Sequence, residues 1–134
     1  MTDTPEEARN KQLALAMWQA VIVEYRPEAV LQYISPDYIQ HNPAVPPGRE
    51  FLYEAVKGLA AEAAANPDSP PHTTKRLIHA FADGDLVTLV WYLDVPEPDD
   101  PGRTYVAASF DMFRFDKDGM IVEHWDDIRK GAPH

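Results

Sequence analysis

The hydrophobic rhythm of this chain changes once, near residue 66, and that change limits it to one class of fold. Before it, apolar residues recur three and four apart. After it, they alternate or cluster in short stretches rich in Val, Ile, Thr and aromatics. Helices first and an antiparallel sheet afterwards mean an α+β chain, in one domain over residues 1–134, mainly helical over 1–65 and sheet over 73–128.

Thr4-Pro5-Glu6-Glu7 has the form of a capping box, with Pro at the first helical position. Leu13, Met17, Ala20 and Val21 behind it predict an amphipathic helix to about Tyr25. Pro27 opens a second, short helix through Ile34, which Ser35-Pro36 stops. A third runs from about Arg49 to Ala65, with Leu52, Val56, Leu59, Ala60 and Ala63 on one face. Strands are expected over residues 73–82, 86–95, 103–116 and 120–128, with Asp83-Gly84 and Asp118-Gly119 as tight turns and 96–102 as an acidic loop. A curled sheet of four to six strands, covered on one face by helices, leaves a conical cavity between the layers. Such places are the usual small-molecule sites.

The formal net charge of −10 disfavours phosphate backbones and anionic lipid, so nucleic acid and membrane surfaces are not expected partners. With no cysteine, disulfides, thiolate catalysis and cysteine-ligated metals are excluded. The acidic, polar start does not resemble a signal or transit peptide, and no apolar run approaches a membrane span. The expected location is the cytoplasm.

The chemistry concentrates on the strand from Tyr105 to Phe115. Tyr105, Ala107, Ser109, Asp111, Phe113 and Phe115 share one face; Val106, Ala108, Phe110, Met112 and Arg114 share the other. Both faces are largely apolar, which predicts a central strand covered on both sides. An Asp in its middle is costly unless hydrogen-bonded, protonated or functional. If residues whose numbers sum to 235 or 237 pair across the Asp118-Gly119 turn, Asp111 faces His124 or Asp126. Val122, His124, Asp126 and Ile128 would then lie on its side, and Glu123 and Trp125 on the other. A bulge at the turn would reverse that parity. A carboxylate beside an imidazole or a second carboxylate suits proton transfer; it also occurs as a plain ion pair.

His41, between Gln40 and Asn42 and near Tyr38, is a further candidate at the mouth of the helical layer. His72, His79 and His134 have no supporting pattern. His41, His124, Asp111 and Asp126 contain the atoms of a metal site but no diagnostic ligand spacing, so no metal is expected. A phosphate loop and a nucleophile elbow are both lacking, and Ser109 has no base in view.

Three blocks then become familiar: Tyr38-Ile-Gln-His-Asn-Pro-Ala-Val-Pro-Pro-Gly-Arg-Glu50, Ala82-Asp-Gly-Asp-Leu-Val87, and Phe110-Asp-Met-Phe-Arg-Phe-Asp-Lys-Asp-Gly-Met-Ile-Val-Glu-His-Trp-Asp126. In this order the chain resembles the SnoaL-like polyketide cyclase family, in its aldol-condensation branch, within the nuclear-transport-factor-2-like superfamily. The resemblance implies a cone-shaped, curved antiparallel or mixed sheet wrapped by three N-terminal helices (a cystatin-like α+β barrel). It also implies a homodimer through the outer sheet face and cofactor-free aldol chemistry with Asp111 as acid/base. His41 and His124 would be its partners. Trp18, Tyr38, Asn42, Trp91, Phe113 and Asp126 would contact a small hydrophobic or carbonyl-bearing molecule.

The superfamily includes ketosteroid isomerases, where a similar block carries a protonated Asp donating to an oxyanion. This chain departs from them at two places: Asn42 precedes Pro43 where they carry the base Asp, and Trp18 falls where they carry a Tyr. An Asn cannot abstract a proton, which argues against steroid isomerisation. The strand after Asp83-Gly84 reads Trp91-Tyr92-Leu93 where the closer branch often has His. Two readings follow: a cofactor-free cyclase or isomerase, and a non-catalytic ligand-binding or accessory module.

Overall fold

Thr4 and Glu7 cap the first helix reciprocally: Glu7 N–H donates to Thr4 Oγ1 at 3.1 Å, and Thr4 N–H donates to Glu7 Oε1 at 2.8 Å. The second Glu7 oxygen accepts from Gly84 N–H at 2.8 Å, pinning the helix start to a sheet turn. In this computed structural model, which describes residues 2–128, α1 spans Pro5–Met17 and buries Asn10, Ala14 and Met17. The helix then widens into a π-helical segment, Trp18–Val23, and ends at Tyr25 with φ 55°. Single-turn π segments often mark functional places, and this one carries Trp18 and Val21 to the inner face.

Helix α2 is Pro27–Tyr33 and α3 is Arg49–Ala65. Between them Ile34–Gln40 forms a strand, β1, where the sequence pattern predicts only the end of the second helix at Ser35-Pro36. The others are β2 (Arg76–Asp83), β3 (Leu86–Pro96), β4 (Thr104–Phe115) and β5 (Ile121–Asp126). Their spatial order is β1-β5-β4-β3-β2; β1 runs parallel to β5, and the remaining neighbours are antiparallel. The α+β architecture expected from the sequence, three helices on a curved mixed sheet, is the one observed. No helix among the described residues is long and apolar enough to cross a membrane.

The core lies between helices and sheet, where Val21, Val30, Ile34, Val56, Val87, Leu89 and Ile121 are almost fully buried. At about 2 kcal/mol for each large apolar side chain removed from water, this layer is the main stabilising term.

Two packing expectations need correction. Strand β4 is central in the order, but only one of its faces is covered within the chain. Ser109, Asp111, Phe113 and Phe115 are buried, whereas Val106 and Phe110 are 56% and 46% exposed. The helices are too few to cover both faces, and all pack on one. In β5, Phe115 pairs with Ile121 while Arg114 pairs with Glu123, so a bulge separates the two pairs. The extra residue turns Ile121 into the core in place of Val122.

Candidate active site

Strands β4 and β5 pair with residue numbers summing to 237 from Asp111↔Asp126 through Arg114↔Glu123. The bulge lies closer to the turn, so it leaves His124 and Asp126 on the side of Asp111. Alternation in β1 adds Tyr38 and Gln40 from the far edge, and Asn42 just beyond it. These groups form the polar floor of a cavity of about 360 Å³ whose opposite wall is apolar, built from Trp18, Val21, Leu52 and Val56 among others.

Asp111 is the centre of the floor. Its Oδ1 lies 2.7 Å from His124 Nε2, and its Oδ2 accepts from Trp91 Nε1 at 2.9 Å and from Lys75 Nζ at 3.1 Å. Burial works to raise the Asp111 carboxyl, but the His124 hydrogen bond and the Lys75 charge outweigh it and hold it below the usual carboxylate range. Asp111 is therefore an anion with three donors, unlike the neutral, hydrogen-donating Asp of the isomerases.

The orientation of His124 follows from its neighbours. Gln40 Oε1 accepts Asn42 N–H at 3.0 Å, which fixes the amide, and His124 Nδ1 meets the same oxygen at 2.7 Å. Both ring nitrogens thus lie against oxygen atoms, one on each flanking strand. Phe113, directly across the ladder, stacks on the ring with centroids 4.9 Å apart. Gln40 Nε2 donates to Tyr38 Oη at 2.8 Å, leaving the phenolic proton for the cavity. Burial, with the nearby charges of Asp111 and Asp126, pushes the Tyr38 hydroxyl well above its ordinary range, so it stays a donor.

Asp126 Oδ2 accepts from Asn42 Nδ2 at 2.7 Å and stands 4.0 Å from His124 Nε2. Asp111, His124 and Asp126 offer three possible ligand atoms within 4.8 Å of one another. A divalent ion there would displace the proton between His124 and Asp111 and sit beside the Lys75 ammonium. The donor set fits a proton-bearing network better than a cation.

Of the residues expected from the sequence, the structure brings Asp111, His124, Tyr38, Asn42, Asp126, Trp18 and Phe113 to the cavity. Trp91 is buried behind the floor: it supports Asp111 through its Nε1 and packs on Trp18, with ring centroids 4.5 Å apart. His41 is the correction. Gln40 points inward, so the next residue points outward; His41 meets Glu123 Oε2 at 2.6 Å and stacks on Trp125 on the outer face. Ser109 donates to Asp127 Oδ1 at 2.9 Å, an oxygen that also accepts Phe110 N–H at 3.2 Å. His79 lies beside Phe81, with ring centroids 5.9 Å apart and tilted by 30°, and His134 lies outside the described residues. Lys75, His72 and Gln40 were missed. Gln40 alone had a signal, the period-two spacing with Tyr38 and Asn42.

A family profile described as a SnoaL-like domain matches residues 15–124. The chain belongs to the SnoaL-like family. Solved structures of similar shape include TsrD from Streptomyces laurentii, at 22% identity and TM-score 0.61, covering 95% of this chain and 90% of that one. A protein assigned as a polyketide cyclase from Acidithiobacillus ferrooxidans is 24% identical with TM-score 0.63 and the same coverages, 95% and 90%. AclR from Streptomyces galilaeus, assigned as a hydroxylase, is 21% identical with TM-score 0.60, covering 93% of this chain and 92% of that one. No curated protein sequence matches the chain. At these identities the likeness is one of fold, and it places this SnoaL-like chain on a scaffold that carries more than one assigned chemistry.

Proposed function

We propose that this SnoaL-like protein is a cofactor-free acid/base catalyst that acts on a small, hydrophobic, carbonyl-bearing molecule by aldol cyclisation or isomerisation. The observation that carries the reading is a buried, ionised carboxylate, Asp111, on the floor of a largely apolar cavity. A carboxylate has about four acceptor positions, and three donors reach Asp111, only one of them at Oδ1. The open position on Oδ1 takes a proton from the carbon next to a substrate carbonyl.

The electron pair left behind moves onto the carbonyl oxygen, where the Tyr38 hydroxyl stabilises the enolate while His124 holds Asp111 in position. In an aldol closure the enolate carbon bonds to a second carbonyl of the same molecule. The new alkoxide then takes back the proton that Asp111 removed, so nothing beyond the substrate is consumed. The polyketide-cyclase assignment of the Acidithiobacillus ferrooxidans neighbour supports this class of chemistry.

The test is hydrogen exchange in D2O at the carbon beside the carbonyl of 2-tetralone and related bicyclic ketones, followed by NMR. Exchange above the buffer rate that disappears in Asp111→Asn, with folding retained, is the expected result. Exchange undiminished in the variant removes Asp111 from the mechanism. The three donors that already hold Asp111 also favour a second reading, a module that binds such molecules without turnover. Ketone binding with no exchange is the result that reading requires.

The working unit in this proposal is a homodimer. The uncovered outer face of β4, with Val106 and Phe110, supports it, as does the neighbouring Tyr92 at 49% exposure.

A further inference from the structure

Lys75 is a cation that neither the sequence pattern nor the Asp111 mechanism uses directly, yet it enters the same cavity. Its side chain is only 12% exposed, and its ammonium lies 5.1 Å from the centre of the Trp18 ring. Its hydrogen-bond partner is Asp111 Oδ2, and the other oxygen of that carboxylate is bonded to His124. An amine, a base that can take its proton and an acid one carboxylate away are therefore assembled at the boundary between the apolar wall and the polar floor. These are the groups that condensation of an amine with a carbonyl requires.

We infer that Lys75 captures the carbonyl group of a hydrophobic ketone or aldehyde as an iminium ion, so that the site works through a covalent adduct. The inference rests on the carbonyl-substrate reading above. Lys75 passes one ammonium proton to Asp111, and its nitrogen lone pair forms a bond to the carbonyl carbon. The carbonyl π pair moves to oxygen, which takes a proton from the attacking nitrogen to give a neutral carbinolamine. The proton held by Asp111 returns to the hydroxyl, the C–O bond breaks, and water leaves as the C=N bond forms. No oxidant or reductant is consumed.

The charge balance favours this site over a surface lysine. An ammonium and an iminium carry the same positive charge, so the buried pairing with Asp111 survives the reaction. A neutral adduct would leave that carboxylate short of its cation. The apolar wall limits return of water to the adduct. The carbon beside an iminium is also more acidic than one beside a ketone, which eases the proton removal assigned to Asp111.

The test uses the full chain, incubated separately with 2-tetralone, 1-indanone and 2-naphthaldehyde and then reduced with cyanoborohydride. Intact mass and peptide mapping follow. The expected result is a secondary-amine adduct concentrated at Lys75, absent in Lys75→Arg, which keeps the ion pair but cannot form the imine. Ketone quenching of tryptophan fluorescence should persist in that variant. No adduct at Lys75 with any of the three probes, or adducts spread over the other lysines only, overturns the inference. Exchange in D2O that depends on Asp111 without trapping at Lys75 overturns the covalent step alone. Absence of exchange together with absence of trapping removes both this inference and the function it rests on.

Discussion

His124 joins the two strands that flank its own: Nε2 lies 2.7 Å from Asp111 Oδ1 on β4, and Nδ1 lies 2.7 Å from Gln40 Oε1 on β1. The ring is held at both ends, and Phe113 supports its face. Its angle to Asp111 is thus set by a residue that need not touch substrate.

Gln40→Leu removes the hydrogen-bond partner of Nδ1 and leaves a buried ring nitrogen unpaired. The expected cost is about 1–3 kcal/mol of stability by urea denaturation. Exchange activity should fall along with loss of a single imidazole N–H resonance. Gln40→Glu keeps an acceptor and should keep the ring signal. A Leu variant with unaltered stability and an unaltered ring signal would show that Gln40 does not orient the ring.

The charge state of Asp111 predicts an acid limb in the stability curve. Its carboxyl is held below the ordinary value of 3.8, so its contribution is fully present above that value and is lost as pH falls below it. Urea midpoints taken from neutral pH downward should drop at the acid end in the wild type and less steeply in Asp111→Asn. Lys75→Met should cost about 3 kcal/mol at neutral pH, because it strips a cation from a buried carboxylate. Part of that loss should return in acid, where Asp111 takes up a proton. Parallel curves for the three proteins would refute the assignment.

What was legible in the sequence follows the range of the interactions. Asp111 and His124 sit on strands joined by a tight turn, so local alternation was enough to face them toward one another. Asp126 followed by the same count. Lys75 was invisible because it reaches Asp111 from a loop 36 positions away, with no spacing to betray it. His41 was misplaced because β1 pairs in parallel with β5 across most of the chain, and Ser35-Pro36 looked like the end of a helix. Had β1 been recognised, its alternation would have sent Gln40 in and His41 out. Trp91 is expected from the sequence only as a substrate contact, since its bond to Asp111 spans the hairpin joined by the acidic loop and leaves no local signal.

The outer face supplies a prediction independent of the cavity. His41 stacks on Trp125 with centroids 4.9 Å apart, and the Arg114 guanidinium lies 5.6 Å from the same ring, beside exposed apolar residues of β4. If a second copy packs here, Trp125→Ala removes a large contact and should weaken the dimer, seen by sedimentation at graded concentrations. The cavity should be unaffected, so ketone quenching of fluorescence from Trp18 and Trp91 should persist. A dimer of undiminished affinity refutes this surface as the contact.

Asn42 offers the sharpest pH test, because its Nδ2 donates to Asp126 Oδ2 at 2.7 Å. Asn42→Asp replaces that donor with an acceptor of the same size and sets two carboxylates within hydrogen-bond distance. One of them must hold a proton, so the folded pair titrates above the ordinary carboxylate value. A group raised in the folded state stabilises below its unfolded value and loses that contribution as pH rises through the folded one. The variant should therefore approach wild-type stability near pH 4 and fall behind it toward neutrality, by about 1–3 kcal/mol for the lost bond and the repulsion together. Thermal melts across that range read the difference directly. A deficit that stays constant with pH would mean that Asp126 turns away to solvent in the variant and that Asn42 does not hold it in the cavity.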